Sequence, residues 1–220
     1  MRPPVIHKSM VRHTPALLAA AALALSGCAL LELPSSTGDV LFQDDFSRPA
    51  SGWDRDRNQA YRSDYVDGVY RIEILEAETT AWSNPGLVFG DVRIEVDAGK
   101  AAGSDDNAYG VLCRYQDPGN YYFFLISSDG FAGIGARREG AAVLLSGDAM
   151  LPSEPIELGA GPNHIRADCA GSRLSLFVNG VPVVEVDATD WAEGDVGVIA
   201  ASLAGPGAVI DFDNFSVVYP

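Results

Sequence analysis

Three features of the sequence predict an all-β fold in which two antiparallel sheets pack as a sandwich or jelly roll. The first is a meander over Tyr109–Arg137, YGVLCRYQDPGNYYFFLISSDGFAGIGAR. The second is alternation of apolar and polar residues in stretches on both sides of it. The third is that nothing after the N-terminal segment offers ten or more residues of helical periodicity. Short strands at regular spacing, with turn residues between them, are the pattern of such sandwiches.

Within the meander, Asp117-Pro118-Gly119-Asn120 separates two runs rich in aromatic and β-branched residues, which is hairpin chemistry. Closed as a four-residue loop, it sets Gln116 opposite Tyr121, Tyr115 opposite Tyr122, Cys113 opposite Phe124 and Val111 opposite Ile126. Side chains alternate along a strand, so the last three pairs form a core face. Gly110, Leu112, Arg114, Gln116, Tyr121, Phe123 and Leu125 fall on the other face. Ser128-Asp129-Gly130 makes the next turn, with glycine supplying positive φ. As a three-residue loop it sets Ile134 opposite Phe124.

The chain opens on a targeting segment. Arg2, Lys8 and Arg12 make a basic region, and Pro15 to Leu25 an apolar one too short to span a bilayer. Leu25-Ser26-Gly27-Cys28 resembles a bacterial lipobox, in which Cys28 becomes the lipidated first residue of the mature protein; the plainer alternative is a signal peptide that happens to contain a cysteine. Residues 1–27 are thus read as a lipoprotein signal peptide and residues 28–38 as a lipid-anchored tether. A coil of that length spans about 20 Å root-mean-square. The membrane is then a partner through the lipid alone. Ala29, rather than Asp, resembles the pattern sent on to an outer membrane. The expected address is extracytoplasmic, in the cell envelope.

Residues 39–220 read as one domain. Without residues 1–27 the chain has 12 Lys+Arg against 30 Asp+Glu, a net −18. Such a charge repels nucleic acid and anionic headgroups, so no nucleic-acid partner is expected.

Strand signals follow in order. Tyr70, Ile72 and Ile74 alternate with Arg71 and Glu73; Val92, Ile94 and Val96 with Arg93, Glu95 and Asp97; Ile165, Ala167 and Cys169 with His164, Arg166 and Asp168. Leu174, Leu176 and Val178 lead into Asn179-Gly180, a strong hairpin signal, and Val181 to Val186 returns. Asp195–Ala201 and Val209–Tyr219 complete the set. With Cys28 taken by lipid, Cys113 and Cys169 remain, both on apolar faces. In an oxidising compartment they are expected to form a disulfide.

Phe42-Gln43-Asp44-Asp45-Phe46-Ser47 followed by Gly52-Trp53 resembles the opening of bacterial concanavalin A-like (laminin G-like) jelly-roll domains. So do Gly110-Val111-Leu112-Cys113-Arg114-Tyr115, the late Asn179-Gly180 hairpin, and Asp211-Phe212-Asp213-Asn214-Phe215. The resemblance covers nearly all of residues 39–220. It implies two curved sheets with the terminal strands adjacent. Such domains include lectins, carbohydrate-binding modules, glycoside hydrolases and domains of no known activity; one related branch acts on 3-keto-disaccharides.

The laminarinase-type branch carries Glu-x-Asp-x-x-Glu on one strand, supplying nucleophile and acid. Glu95-Val96-Asp97 reaches Lys100 where the second Glu belongs, and Glu185-Val186-Asp187 reaches Asp190, one carbon short. Both read as solvated strand charges. His164 is the only histidine after the signal segment, so no Ser-His-Asp triad is proposed, and no phosphate-binding or dinucleotide glycine loop is present.

Sugar recognition needs flat aromatic faces and planar polar groups, and Arg114, Gln116, Tyr121 and Phe123, sharing a face, are the candidate ligand-binding residues. The alternative for Arg114 is a structural pair with Glu73 or Asp168. Trp53, Trp82 and Trp191 read as packing anchors. Related jelly rolls often hold a structural Ca²⁺ near the termini, and the expected ligands here are Asp45 and Asp213; Asp105-Asp106-Asn107 is a weaker candidate. The expected function is a membrane-anchored, non-catalytic module binding glycans. A glycoside-acting hydrolase is the first alternative, and a structural or protein-interaction domain of the envelope the second.

Overall fold

The computed structural model describes residues 36–203 and 205–220. The signal segment, Cys28 and the tether up to residue 35 lie outside the described residues. In chain order the strands are β1 (Val40–Asp44), β2 (Asp56–Arg57), β3 (Tyr61–Val66), β4 (Val69–Ile74), β5 (Thr79–Ser83), β6 (Val92–Ala102), β7 (Asn107–Asp117), β8 (Asn120–Ile126), β9 (Phe131–Arg138), β10 (Ala141–Leu144), β11 (Leu151–Pro152), β12 (Asn163–Ala170), β13 (Arg173–Val178), β14 (Val181–Asp187), β15 (Asp195–Ser202) and β16 (Val209–Val218).

They form two antiparallel sheets. One runs β14-β13-β12-β6-β16-β4-β3-β2 with β1 beside β16, and the other β10-β9-β8-β7-β15-β5 with β11 beside β9. The fold is the all-β sandwich that the strand pattern predicts, and the first and last strands do pair, Asp44 opposite Phe215.

The alternation read from the sequence sets the core. Tyr70, Ile72 and Ile74 of β4, Ile94 and Val96 of β6, and Ile165, Ala167 and Cys169 of β12 are fully buried between the sheets. Each large aliphatic side chain removed from water there contributes roughly 1.5–3 kcal/mol. Their polar neighbours face outward and pair: across strands Arg71 with Asp211, Arg62 with Glu73 and Arg93 with Asp168, and along β12 Arg166 with the same Asp168. At Asn179-Gly180 both residues have positive φ, 51° and 81°, and Val178 faces Val181, as a two-residue type I′ hairpin requires.

The opening motif closes one end of the core. Asp44 accepts a hydrogen bond from the Phe46 amide at 2.9 Å and another from Trp53 Nε1 at 2.9 Å. Phe46 and Trp53 are buried against Tyr70 and Phe215, the Trp53–Phe215 rings meeting edge-on at 4.8 Å. Trp53 is the packing anchor expected, and Trp191 packs on the core beside Tyr122, ring centroids 4.8 Å apart.

Cys113 of β7 and Cys169 of β12 form a disulfide between the two sheets. A bonded pair of this kind belongs to an oxidising, extracytoplasmic compartment.

The meander is present, and its two turns differ from each other in outcome. Phe124 faces Ile134, the register of a three-residue turn at Ser128–Gly130. At the first hairpin Asp117 faces Asn120, as expected, but the body of the pair is shifted by two residues: Cys113 faces Tyr122 and Val111 faces Phe124. The shift comes from a bulge in which Arg114, Tyr115 and Gln116 stand against the single residue Tyr121. Arg114 takes the left-handed conformation, φ 52°, which turns the strand over locally.

Candidate functional site

The bulge reverses two sequence-based placements. Arg114 does not share a face with Tyr121 and Phe123. It is 2% exposed and reaches the other sheet. Nη1 donates to the Trp191 carbonyl at 2.8 Å, and Nη2 to the Gly171 carbonyl at 2.9 Å and to Asp91 Oδ1 at 3.1 Å. Its partner is therefore Asp91, neither Glu73 nor Asp168. The Gln116 amide is likewise occupied, donating to the carbonyls of Arg114 and Glu193. Tyr115 moves the opposite way, out of the core face and onto the outer face of the second sheet.

That outer face carries a second, smaller apolar cluster. Leu112, Tyr121, Phe123 and Ile199 are buried in it, with Trp82, Tyr115, Leu125 and Leu144 half-buried around them. Trp82 is thus not a core anchor. Its ring lies 5.6 Å from Tyr121 and 6.4 Å from Tyr115, and Tyr115 stacks on Tyr121 at 5.6 Å and 29°. Phe123 continues the strip, 6.4 Å from Tyr121. It lies flat over Gly135, where a Cβ would come within 2.2 Å of the ring; a glycine is required there for the aromatic side chain to lie down. Burial pushes the Tyr115 and Tyr121 phenols up, with the Arg137 guanidinium opposing the shift at Tyr121. Both hydroxyls therefore stay protonated at neutral pH and can donate. Tyr121 and Phe123 form the floor, and Trp82 and Tyr115 form the accessible rims.

Arg137 of β9 stands directly opposite Tyr121 of β8 in the ladder, with Ala142 of β10 on its other side. This arginine, not Arg114, borders the aromatic strip. The sequence signal for it was the alternation Gly133, Gly135, Arg137, which continues the outer face into the third strand of the meander.

The outer face of the first sheet is different in kind. A groove of about 650 Å³ there is lined by Asp97, Lys100, His164, Asp213 and Asn214 among others. Asp97 stands opposite both His164 and Asp213 in the ladder. Its carboxylate meets His164 Nδ1 at 2.8 Å and Asn214 Nδ2 at 3.0 Å. Lys100, where a second glutamate would complete a hydrolase motif, pairs with Asp105. In the other partial motif Glu185 is bonded to Ser175 and paired with Arg173, while Asp190 is held by Arg138 and Tyr122.

Asp45 and Asp213 do not meet. Asp45 lies in a smaller depression with Gln43 and Arg48, and accepts from the Ser47 amide and hydroxyl, which hold its carboxyl below the usual range. Asp213 lies in the larger groove. Among the described residues no three His, Cys, Asp or Glu side chains are grouped to share an ion. The two aspartates therefore do not fit a calcium site, which needs six or more converging oxygens. Asp105 pairs with Lys100, and Asn107 is buried against Ser104 and Ser128.

No family model matches the chain, and no curated protein matches it. Solved structures do. The chain is similar to the carbohydrate-binding module CBM66 from Bacillus subtilis, at 17% identity and TM-score 0.61 over 76% of this chain and 96% of that one. It is similar to a Bacillus subtilis protein of unknown function with a galectin-like fold, at 12% identity and TM-score 0.60 over 84% and 97%. A Bacillus licheniformis β-glucanase matches at 11% identity and TM-score 0.60 over 84% and 100%. At these identities the likeness establishes the fold: a concanavalin A-like, galectin-like jelly roll shared with carbohydrate-binding modules and glycanases.

Proposed function

We propose that this protein is a non-catalytic glycan-binding module whose ligand lies on the outer face of the second sheet. The observation that carries the reading is the strip of Trp82, Tyr115, Tyr121 and Phe123 on that face, outside the main core. Aromatic faces pack against the C–H faces of sugar rings, and their polar tips supply hydrogen bonds. Of the residues the sequence picked out, Tyr121 and Phe123 keep a place in this site as its floor. Arg114 and Gln116 enter it as supports, because their bonds hold the bulge that turns Tyr115 outward. The test is retention on a panel of polysaccharides in affinity electrophoresis. Trp82→Ala and Tyr115→Ala should each abolish retention and leave the unfolding midpoint within about 1 kcal/mol of wild type, since both rings are only half-buried. Retention of both variants at wild-type strength would remove the site.

The same proposal includes a lipid anchor at Cys28. It rests on the lipobox pattern and on the oxidising compartment that the disulfide implies. Metabolic palmitate labelling of wild type but not of Cys28→Ala is the expected result, and labelling of both would refute it.

A second reading, glycoside hydrolysis, has one observation in its favour: Asp97 and Asp213 face each other in the groove of the first sheet. Release of reducing ends from β-glucans by wild type, lost in Asp213→Asn, would establish it. Absence of such release leaves the binding reading.

A further inference from the structure

We propose that the ligand carries a carboxylate, as a uronic acid-containing glycan does, and that Arg137 is the residue that selects it. The inference rests on the glycan-binding reading and goes beyond it to the class of ligand.

Arg137 stands apart among the arginines of this chain. Arg71, Arg93, Arg114, Arg138 and Arg166 are also at least partly buried, and each is paired with an aspartate. Arg48 and Arg57 have no ion pair among the described residues either, but they are exposed to water. Arg137 is half-buried and belongs to none of the ion pairs among the described residues. Among the described residues its Nε, like that of Arg114, is closed off from solvent with no hydrogen-bond partner. Among the described residues it does not stack on a ring either; the guanidinium–ring contacts there are Arg55 over Tyr65 and Arg166 over Phe177.

A buried donor without a partner forfeits its hydration with nothing in return, so such groups call for an explanation. Among the described residues every other half-buried arginine found a carboxylate, in a chain with twice as many acidic as basic residues. Nε is as closed to a ligand as it is to water, and the Tyr121 hydroxyl lies against the guanidinium; what Arg137 lacks is a counter-charge, and a carboxylate that arrives with the ligand supplies one. The position fits. In the ladder Arg137 stands between Tyr121 on one side and the small Ala142 on the other. A sugar ring laid along Tyr115 and Trp82 lies beside Tyr121, and Arg137 is the ladder neighbour of Tyr121. The guanidinium offers a planar pair of donors that matches a carboxylate in two parallel bonds, a geometry that a neutral hydroxymethyl group does not satisfy. The net −18 of residues 28–220 repels polyanions in general, so retention of one reports a local site rather than bulk attraction.

The experiment uses alginate, polygalacturonate and hyaluronate, each beside its carboxyl-reduced polymer, which keeps the backbone and loses the charge. Dextran sulfate serves as a polyanion without carboxylates. Wild type should be retained by at least one of the uronates at least tenfold more strongly than by its reduced partner and than by dextran sulfate. Arg137→Gln should fall to the affinity for the reduced polymer while its urea midpoint stays at the wild-type value. Equal retention of a uronate and its reduced form, retention of neutral polymers alone, equal retention of dextran sulfate, or a tenfold preference that survives Arg137→Gln each overturns the carboxylate inference and leaves glycan binding standing. Failure of every polysaccharide, acidic or neutral, to be retained overturns the glycan-binding reading beneath it.

Discussion

Arg114 and Arg137 exchange roles between sequence and structure, and one residue's φ angle decides it. Strict alternation sends Arg114 outward with Leu112 and Phe123. A left-handed arginine inside a strand breaks that parity, and a bulky residue at positive φ is not something that composition announces. The placement holds because three acceptors from the other sheet and its flanking loops receive the guanidinium. Truncating Arg114 takes a donor from two carbonyls and leaves Asp91 with the Gly171 amide. Arg114→Met should therefore lower stability by about 2–3 kcal/mol, discounted from a fully buried pair because Asp91 is 45% exposed. Urea unfolding measures it. An unchanged midpoint with lost glycan binding would return Arg114 to the ligand's side of the molecule.

Strands were legible wherever side chains alternate against one buried face. β4, β6, β12, β13 and β16 lie where their apolar periodicity puts them, because a slip of one residue would turn every apolar group to solvent. The second turn of the meander was legible for the same reason. The first was not, since a slip of two preserves parity and costs no burial at Val111 or Cys113. The outer face of the second sheet was only half legible: it is apolar on both sides, so alternation carries less information there. The first sheet's outer face makes its own prediction. Burial raises the Asp168 pKa, but the hydrogen bonds from Arg166 and Arg93 outweigh it and hold the carboxyl below its ordinary value. A depressed folded pKa stabilises above the unfolded value of about 3.9 and is lost as pH falls through the folded one. Asp168→Asn should cost on the order of 2 kcal/mol at pH 7, from lost charge-assisted bonds. The difference from wild type should close as pH falls below the ordinary carboxylate range and through the depressed folded value. A gap that stays constant on acidification would mean that the ion pair contributes through packing alone.

At the scale of the molecule, the two sheets are pinned at one corner by neighbouring residues. Cys113 bonds to Cys169, and Arg114 bonds to Gly171 and to Asp91, which also accepts from the Gly171 amide at 2.9 Å. Residues 113–114 of one sheet thus grip residues 169–171 of the other through a covalent link and an ionic one. The disulfide closes a loop of 56 residues, and in the chain-entropy model that stabilises by about 4 kcal/mol. Two cross-links acting on the same few residues cannot be independent. With the disulfide intact, Gly171 is held in reach and Arg114 loses little entropy in meeting it. With the disulfide gone, the corner opens more often and the arginine must order it alone. The expected result of a double-mutant cycle with Cys113→Ala/Cys169→Ala and Arg114→Met is a coupling of about 1 kcal/mol or more, within the range for residues in contact. Each arm is read from urea midpoints at constant m-value, and intact mass confirms that the wild type lacks two hydrogens relative to its reduced form. Strict additivity would show that the two links hold the sheets separately, and an unchanged midpoint on removing the cysteines would show that the core alone holds them together.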